Sequence, residues 1–329
     1  MKSIVKRKNK KISSVFYLTL FFLLLLSILG LFAPDFYSIN NIIGILNRMS
    51  YILIASLGMN LIILTGNIDI SAGALISVVC LTVAAVGKTG ANTLILFLVS
   101  MTTGAILSFI NSLLVTKLLI PATVATLATS QLFAGVLPLV VEGSIYDLPS
   151  SFTWLGFDAK LFHFFPVSIV IMIVITLMML FVMKHTGFSK KLYAVGNNHQ
   201  AARYAGVNVD NTIMLAYIVA GILFGISATI ISTASQRVTT TMGSGLEMNL
   251  IAAVVLGGTS VSGGKGRITG TVLGSAILTL LGPAINYLGI SSDWTDAITG
   301  IIIIVSVVSS EWKILKDEKI GTRVFNYEN

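Results

Sequence analysis

KHTGFSKKLYAVGNNHQAARYAGVNVD, residues 184–210, is a polar and basic stretch between two long hydrophobic segments. Its central part, residues 196–206, is predicted to form a short helix bracketed by glycines. The apolar segments on both sides are long enough to cross a bilayer core, which takes about 20 residues. This contrast predicts membrane-spanning helices joined by one large, positively charged and partly helical loop.

The composition of the whole chain is that of an integral membrane protein. Hydrophobic residues make up 55% and charged residues 10%, and the mean hydropathy of +0.93 is well above that of soluble domains. We therefore predict an all-α, polytopic fold with a single transmembrane domain over residues 1–329. The formal charge of +8 is explained more simply by lysines in cytoplasmic loops than by binding of nucleic acid. The single cysteine, Cys80, excludes an internal disulfide.

The apolar runs predict about ten spans. The first follows a basic segment but is 18 residues long from Val15 to Phe32. Signal peptides have a shorter apolar core of about 7–15 residues, so we interpret this run as a retained helix. The eighth span is short, and the second could be broken near Gly58. The predicted spans are 14–33, 43–66, 71–87, 93–116, 122–141, 164–183, 212–234, 246–258, 268–287 and 294–310.

The distribution of lysine and arginine predicts the orientation, because these residues concentrate in cytoplasmic loops. With the N-terminus in the cytoplasm, the segments on that side carry 17 of the 21 lysines and arginines. Both termini are then cytoplasmic, as is the basic loop. The cytoplasmic segments are 1–13, 67–70, 117–121, 184–211, 259–267 and 311–329.

The same orientation places the loop from Glu142 to His163 on the outer face. It contains Asp147, Trp154 and Asp158. Such an acidic and aromatic loop would suit contact with an extracytoplasmic partner, or it would be only a solvated cap over the helix ends.

Polar residues inside the predicted spans are candidates for a solute path. Polar side chains that face lipid are costly, so these residues should face the bundle or a water-filled path. Amides and hydroxyls without paired charges suit a neutral, hydroxylated solute better than an ion. The alternative is packing, because interhelical hydrogen bonds of about 0.6–2 kcal/mol are common in membrane proteins. The candidates are Asn60, Asn111, Thr126, Ser130, Gln131 and Asn249.

Asp69 has a different interpretation. It lies in the connection before the third span and is followed by Ser71, a pattern typical of a helix N-terminus where a carboxylate accepts backbone N–H groups. We predict this structural role. A proton relay would need partners within the membrane, and no basic residue of the spans is an obvious one.

Two other classes of function are disfavoured. Residues 259–266, TSVSGGKG, resemble a phosphate-binding loop but lack its first glycine and the serine or threonine after the lysine. The three histidines lack metal-ligand spacing, and no nucleophile elbow is present. We expect a transport subunit with no catalytic site, no metal and no cofactor of its own.

Four segments of the chain carry a resemblance to a known family. They are TGNIDISAG at 65–73, NSLLV at 111–115, AVGNN at 194–198 with AARYAG at 201–206, and AAVVLGGTS at 252–260 with GGKG at 263–266. These segments resemble the permease subunits of ATP-binding-cassette importers of the ribose, galactose, xylose and autoinducer-2 type, and the resemblance covers nearly the whole chain. The last two segments are the most specific, and the fourth contains Gly257, Gly258, Gly263 and Gly264. Ser112 stands where that family usually has a second glycine.

The resemblance implies a multi-pass permease in the bacterial cytoplasmic membrane that pairs with a second permease subunit, identical or different. A sugar-binding protein would dock outside and a separate ATPase inside, so that ATP is used by the partner. The short helix of the basic loop would be the coupling helix that contacts the ATPase. His199 and Arg203 would make polar contacts there, and Ala201, Ala202 and Tyr204 would pack. The remaining residues of this element are Gly196, Asn197, Asn198 and Gly206. The alternative is a secondary transporter or channel for a polar, uncharged solute.

Overall fold

The computed structural model describes residues 14–146, 148–149, 152, 160–161, 165–235, 237–289, 291, 294–295, 297–302, 304–305 and 308. Within these residues the fold is all-α, as the composition predicts. The helices are α1 (Ser14–Phe32), α2 (Ile39–Leu64), α3 (Ala72–Gly87), α4 (Thr93–Thr116), α5 (Ala122–Val140), α6 (Val167–His185), α7 (Gly187–Asn197), α8 (His199–Tyr204), α9 (Val209–Thr233), α10 (Leu246–Leu256) and α11 (Ile268–Tyr287), with a 3-10 turn at Pro34–Tyr37.

Apart from α7 and α8, which form in the polar loop, the helices occupy the positions of predicted spans. Six of them, α2, α4, α5, α6, α9 and α11, are long and apolar enough to cross a membrane. Shorter apolar helices occupy Leu18–Phe32, Ala72–Gly87 and Leu246–Leu256. The described residues between 294 and 308 are also helical, at the position of the tenth predicted span. The second helix is continuous through Gly58, so the break considered there does not occur.

The polar loop forms two helices where the sequence predicted one. Gly196 and Asn197 end α7, and Asn198 has an extended backbone, with φ of −165°, between the two helices. The Asn198 side chain accepts the backbone N–H of Ala201 at 2.9 Å, so it caps α8. The chain leaves α8 through Gly206, whose φ is +79°. The predicted helix at 196–206 is therefore only the six residues of α8.

Two helices, α2 and α9, form the centre of the bundle. They pack on each other, α9 also contacts α3 and α4, and α2 also contacts α6, α10 and α11. The most apolar parts of α2 and α9 are 61% and 67% buried, whereas those of α4, α5 and α6 are only 22–28% buried. The three outer helices therefore present most of their surface to lipid or to a partner.

The contact between α4 and α9 depends on glycines that let two backbones approach closely. A Cβ at Gly221 would overlap the carbonyl of Gly104 and would lie 2.6 Å from the Ser108 hydroxyl. A Cβ at Gly225 would overlap the carbonyl of Ser100. This pair of glycines, four residues apart, is the small-residue spacing of close helix pairs in membranes.

Short strand pairs tie the loops at the ends of the helices. Ser144–Ile145 (β1) pairs antiparallel with Val238–Thr239 (β4), and Lys160–Leu161 (β2) pairs with Phe165–Pro166 (β3). Arg237 donates to the Ser144 hydroxyl at 3.1 Å and lies over the ring of Tyr146. Predictions that involve Asp147, Trp154, Asp158, residues 1–13 and residues 311–329 lie outside the described residues.

Replacing the glycine at the α4–α9 crossing tests this packing. Gly221→Ala should lower the free energy of unfolding by about 1–3 kcal/mol, because the new methyl meets a rigid backbone carbonyl. Thermal unfolding in detergent measures the effect. Gly44→Ala, on α2 with no atom within 4 Å of the added Cβ, is the matched control and should be neutral. Equal melting of both variants would contradict the close approach.

Candidate functional site

Three segments that are distant in sequence meet at one end of the bundle. They are the turn after α2 (residues 64–67), the link between α7 and α8 (residues 196–199) and the loop between α10 and α11 (residues 259–266), and we call them together the glycine junction. Gly264 donates its backbone N–H to the carbonyl of Leu64 at 3.0 Å. Because an orphan carbonyl at a buried helix end is unfavourable, this bond fixes the loop against α2.

Glycine is required where the three segments touch. A Cβ at Gly196 would overlap the carbonyl oxygen of Leu64, and a Cβ at Gly264 would lie 2.6 Å from the Asn197 side-chain oxygen. Gly263 and Gly264 also have φ angles of +84° and +67°, in the left-handed region that favours glycine. The backbones of the three segments are therefore in direct contact at Gly196 and Gly264.

Two polar side chains add bonds across the junction. His199, the first residue of α8, places Nε2 at 3.2 Å from the carbonyl of Thr65, so this nitrogen carries the proton if it donates. Tyr193 on α7 donates its hydroxyl to the carbonyl of Gly266 at 3.0 Å. Both helices of the polar loop are thus bonded to the ends of membrane-spanning helices.

A buried amide links the helices just beneath the junction. Asn60 on α2 donates to the hydroxyls of Thr259 and Thr271, each at 2.8 Å. Thr259 follows α10 and Thr271 lies in α11, and all three residues are buried. Asn60 on α2 therefore bonds to α11 and to the segment that follows α10, and both of these bonds are within the chain.

The loop at 259–266 uses its backbone donors internally. Ser260 N–H bonds to the carbonyl of Lys265 at 2.8 Å, and Gly263 N–H bonds to the carbonyl of Ser260 at 3.0 Å. The N–H of Gly264 bonds to the carbonyl of Leu64. In a phosphate-binding loop such N–H groups point at the ligand, whereas here they bond to carbonyls of the protein. Gly257 and Gly258 lie between the end of α10 and this loop, and Gly257 packs against the backbone of Gly270.

One side of α8 faces outward. Tyr204 is 91% exposed, and His199, Gln200 and Ala201 are also exposed. Ala202 is buried in the main core cluster, so its packing is internal and it is not available to a partner. The surface of α8 thus has one large aromatic side chain surrounded by small and polar ones.

Arg203 is engaged within the chain. Its guanidinium donates to Asp210 at 2.9 Å, and Asp210 also lies 3.8 Å from the ammonium of Lys117. These residues belong to α8, to the start of α9 and to the end of α4. The ion pairs are partly exposed and are therefore weak individually, but they tie α8 to a second pair of helices.

The connection between α2 and α3 is buried and is held by side chains. Asp69 accepts the backbone N–H and the hydroxyl of Ser71 at 2.8 and 2.6 Å, at the start of α3. Asn111 on α4 donates to the Ser71 hydroxyl at 2.7 Å, and Thr126 on α5 accepts the N–H of Ile70 at 3.1 Å. Non-helical backbone inside a membrane protein needs such partners.

The residues predicted to line a path fall into two groups. Asn60, Asn111 and Thr126 are fully buried and hydrogen-bonded between elements, which favours the packing interpretation for them. The other three have solvent-accessible or lipid-accessible surface: Gln131 is exposed, and Ser130 and Asn249 are partly exposed. The six predicted residues therefore do not line one common accessible surface of this chain.

Glu247 is a further polar residue that the sequence analysis missed. It lies in the first turn of the short helix α10 and is partly exposed. Its carboxylate packs against Gly73 at the start of α3, where a Cβ would overlap it. The sequence did contain a signal for it: Glu247 is an acidic residue within a predicted apolar span, and such residues are costly in a membrane and are usually functional. No group of three metal-binding side chains occurs among the described residues.

Comparison with known proteins identifies relatives along almost the whole chain. Residues 41–307 match the family described as branched-chain amino acid transport system / permease component. The ribose import permease protein RbsC of Escherichia coli (strain K12) is 33% identical over 291 residues, which is 87% of this chain and 90% of the relative. RbsC of Bacillus subtilis (strain 168) is 33% identical over 293 residues, which is 89% of this chain and 90% of the relative.

An autoinducer 2 import system permease protein, LsrC of Yersinia pseudotuberculosis, is 32% identical over 283 residues, which is 86% of this chain and 80% of the relative. No solved structure matches the chain. Relatives that import different solutes are thus similar to it to almost the same degree.

A substitution at Gly196 tests the glycine junction. In Gly196→Ala the new methyl meets the Leu64 carbonyl, so α7 and α8 should open from the bundle more often. Proteolysis of residues 187–206 should become faster by about tenfold, which corresponds to about 1.4 kcal/mol. Gly187→Ala, with no atom within 4 Å of its Cβ, is the control. Equal cleavage of both variants would contradict the contact.

Proposed function

The chain belongs to the family of permease components of branched-chain amino acid transport systems, and we propose that it forms the membrane path of an ATP-binding-cassette importer for a small neutral sugar. It is a multi-pass protein of the cytoplasmic membrane. The alternative, a secondary transporter or channel, has no support among the relatives, which are import permeases.

One observation carries the proposed mechanism: α8 is bonded directly to the ends of the central helices. His199 contacts the turn after α2, and the α7–α8 link touches the α10–α11 loop through Gly196 and Gly264. A force on α8 therefore reaches α2, α10 and α11 through backbone contacts that have little room to deform. Such packed elements shift between discrete arrangements, which suits switching of access across the membrane.

The force would come from a separate ATPase on the cytoplasmic side. The basic loop at 184–211 lies on that side by the distribution of lysine and arginine. Tyr204 is the natural anchor, because a nearly fully exposed aromatic side chain is costly unless a partner buries it, and tyrosine is enriched at binding hot spots. ATP would bind and react on that partner, and this chain would contribute no cofactor.

Arg203 would have a supporting role. Its ion pair with Asp210 ties α8 to α9, and Lys117 extends the tie to α4. Displacement of α8 would thus be transmitted to α9 and α4 as well. His199 and Arg203 keep enough exposed surface to contact the ATPase in addition to their internal bonds.

The path would form between two permease subunits, identical or different. Gln131 lies on the exposed face of α5, and an amide in contact with lipid tails would be unfavourable. Glu247 and Asn249 are partly exposed on α10. Both α5 and α10 contact α3, so the two helices that carry these side chains pack on the same helix. A second subunit covering this region would enclose a polar path.

The chemistry of these side chains suits a polyhydroxylated, uncharged solute. Amide and carboxylate oxygens accept hydrogen bonds from sugar hydroxyls, and amide N–H groups donate to them. A ribose-like monosaccharide and autoinducer-2 both meet this description, in agreement with the substrates in the relatives' names. An extracytoplasmic sugar-binding protein would deliver the solute at the opposite end of the bundle.

Removal of the exposed tyrosine tests the ATPase contact. Tyr204→Ala should weaken co-purification of the ATPase encoded beside this chain by at least about tenfold and should lower uptake accordingly. The thermal stability of the chain alone should not change, because the Tyr204 side chain is 91% exposed and buries almost no surface within the chain. Lys88→Ala, an exposed site at the far end of α3, is the control. Unchanged co-purification would remove Tyr204 from the interface.

Substitution of exposed amides tests the path. Gln131→Leu and Asn249→Leu should each reduce sugar uptake several-fold while the ATPase still co-purifies, since the coupling surface is intact. Uptake of radiolabelled ribose in cells is the measurement. Thr102→Val, an exposed polar site on α4, is the control and should transport normally. Wild-type uptake in both leucine variants would place the path elsewhere.

A further inference from the structure

Arg48 is a charged residue inside the long apolar helix α2. The helix has 26 residues, and at about 1.5 Å per residue Arg48 lies about 13 Å from its start and about 24 Å from its end. This position is within a hydrocarbon core of about 30 Å. Arg48 is exposed, and it forms no ion pair or hydrogen bond with the described residues. Because a charge in a membrane span is costly, such residues almost always face the bundle interior or a water-filled cavity.

The contacts of its neighbours show which side of α2 carries Arg48. The helix packs against α6, α9, α10 and α11. Asn47 accepts a hydrogen bond from α6, Gly58 lies against the backbone of α9, and Asn60 donates to α11. At about 100° per residue, Arg48 points at least about 80° away from each of these three residues. Arg48 therefore lies on the side of α2 where α10 packs.

Arg48 and Glu247 lie at the same level of the bundle. Asn60 on α2 donates to Thr259, which follows the end of α10, and both helices run side by side away from this bond. Arg48 precedes Asn60 by as many residues as Glu247 precedes Thr259, so each lies about 18 Å or slightly less from the bond. Glu247 is partly exposed. The two opposite charges form no ion pair with each other, although charges within a membrane usually pair.

We propose that Arg48 is a solute-binding residue of the membrane path and that it acts with Glu247 on the same solute. This inference rests on the proposed import of a small neutral sugar and adds a residue to the path. The guanidinium has only donors and the carboxylate has only acceptors. A molecule with several hydroxyl groups accepts from the first and donates to the second, so it fits between opposite charges that do not reach each other.

The reactivity of a cysteine at position 48 tests whether this site faces water. The native thiol, Cys80, is fully buried and provides an unreactive background. In membrane fragments open on both sides, Arg48→Cys should react with a charged, water-soluble maleimide at least about tenfold faster than Val174→Cys, because apolar surroundings suppress the reactive thiolate. Val174 is 58% exposed on the apolar helix α6 and is the matched control. Equally slow reaction would place Arg48 against lipid, where a phospholipid phosphate would be its partner, and would overturn the proposal.

Uptake of radiolabelled ribose tests the contact with the solute. Arg48→Gln should lower uptake by at least about tenfold, because a hydrogen bond from a charged donor is lost, and Arg48→Lys should retain part of it. The ATPase should still co-purify with both variants. Lys88→Gln, which removes an exposed cation at the end of α3, is the control and should transport normally. Wild-type uptake by Arg48→Gln would overturn the proposal.

A double variant tests whether Arg48 and Glu247 act on one solute. Arg48→Gln combined with Glu247→Gln should lose less uptake than the product of the two single losses, because the second change removes a contact that is already impaired. Independent losses would overturn the shared contact. Absence of ribose uptake by the native chain with its ATPase would overturn the proposed function, whereas normal native uptake with slow labelling at position 48 would overturn only the role of Arg48.

Discussion

The bond from Gly264 N–H to the carbonyl of Leu64 is the interaction on which the rest of this architecture depends. The C-terminal half of α2, from Leu53 to Leu64, is buried, so the terminal carbonyl of Leu64 cannot rely on water and needs a donor from another segment. The donor comes from a loop about 200 residues later in the chain. This hydrogen bond brings the α10–α11 loop onto the end of α2. Position 196 then has no room for a Cβ atom, so only glycine fits there.

The same constraint explains why the polar loop is rigidly connected to the membrane helices. Once Leu64 and Gly264 are joined, the α7–α8 link closes the third side of the contact, and His199 and Tyr193 add bonds from the polar loop. Here the outward face of α8 is available to a partner, while its other face is part of the core through Ala202.

Short helices mark a second region in which backbone groups need partners within the bundle. The helices α3 and α10 are too short to span a membrane by themselves and begin after irregular segments. Discontinuous helices of this kind often line the solute sites of transporters, where polar backbone and side chains are tolerated. Asp69 satisfies the start of α3, and Glu247 lies at the start of α10 against Gly73. Polar groups therefore cluster where two helices begin inside the bundle.

The sequence by itself determined the all-α membrane fold, the positions of the spans, the polar loop and the permease family. These follow from apolar runs and from local motifs, which are properties of neighbouring residues.

Only the tertiary structure decided which polar residues form hydrogen bonds within the chain. Asn60 and Asn111 looked like path residues but bond to Thr259, Thr271 and Ser71, and Ala202 faces inward. Glu247 was visible in the sequence, but its position against Gly73 was not. Contacts between residues far apart in the chain depend on how the helices pack. The periodicity of one segment shows which of its faces is apolar, but not which residue of another helix will contact that face.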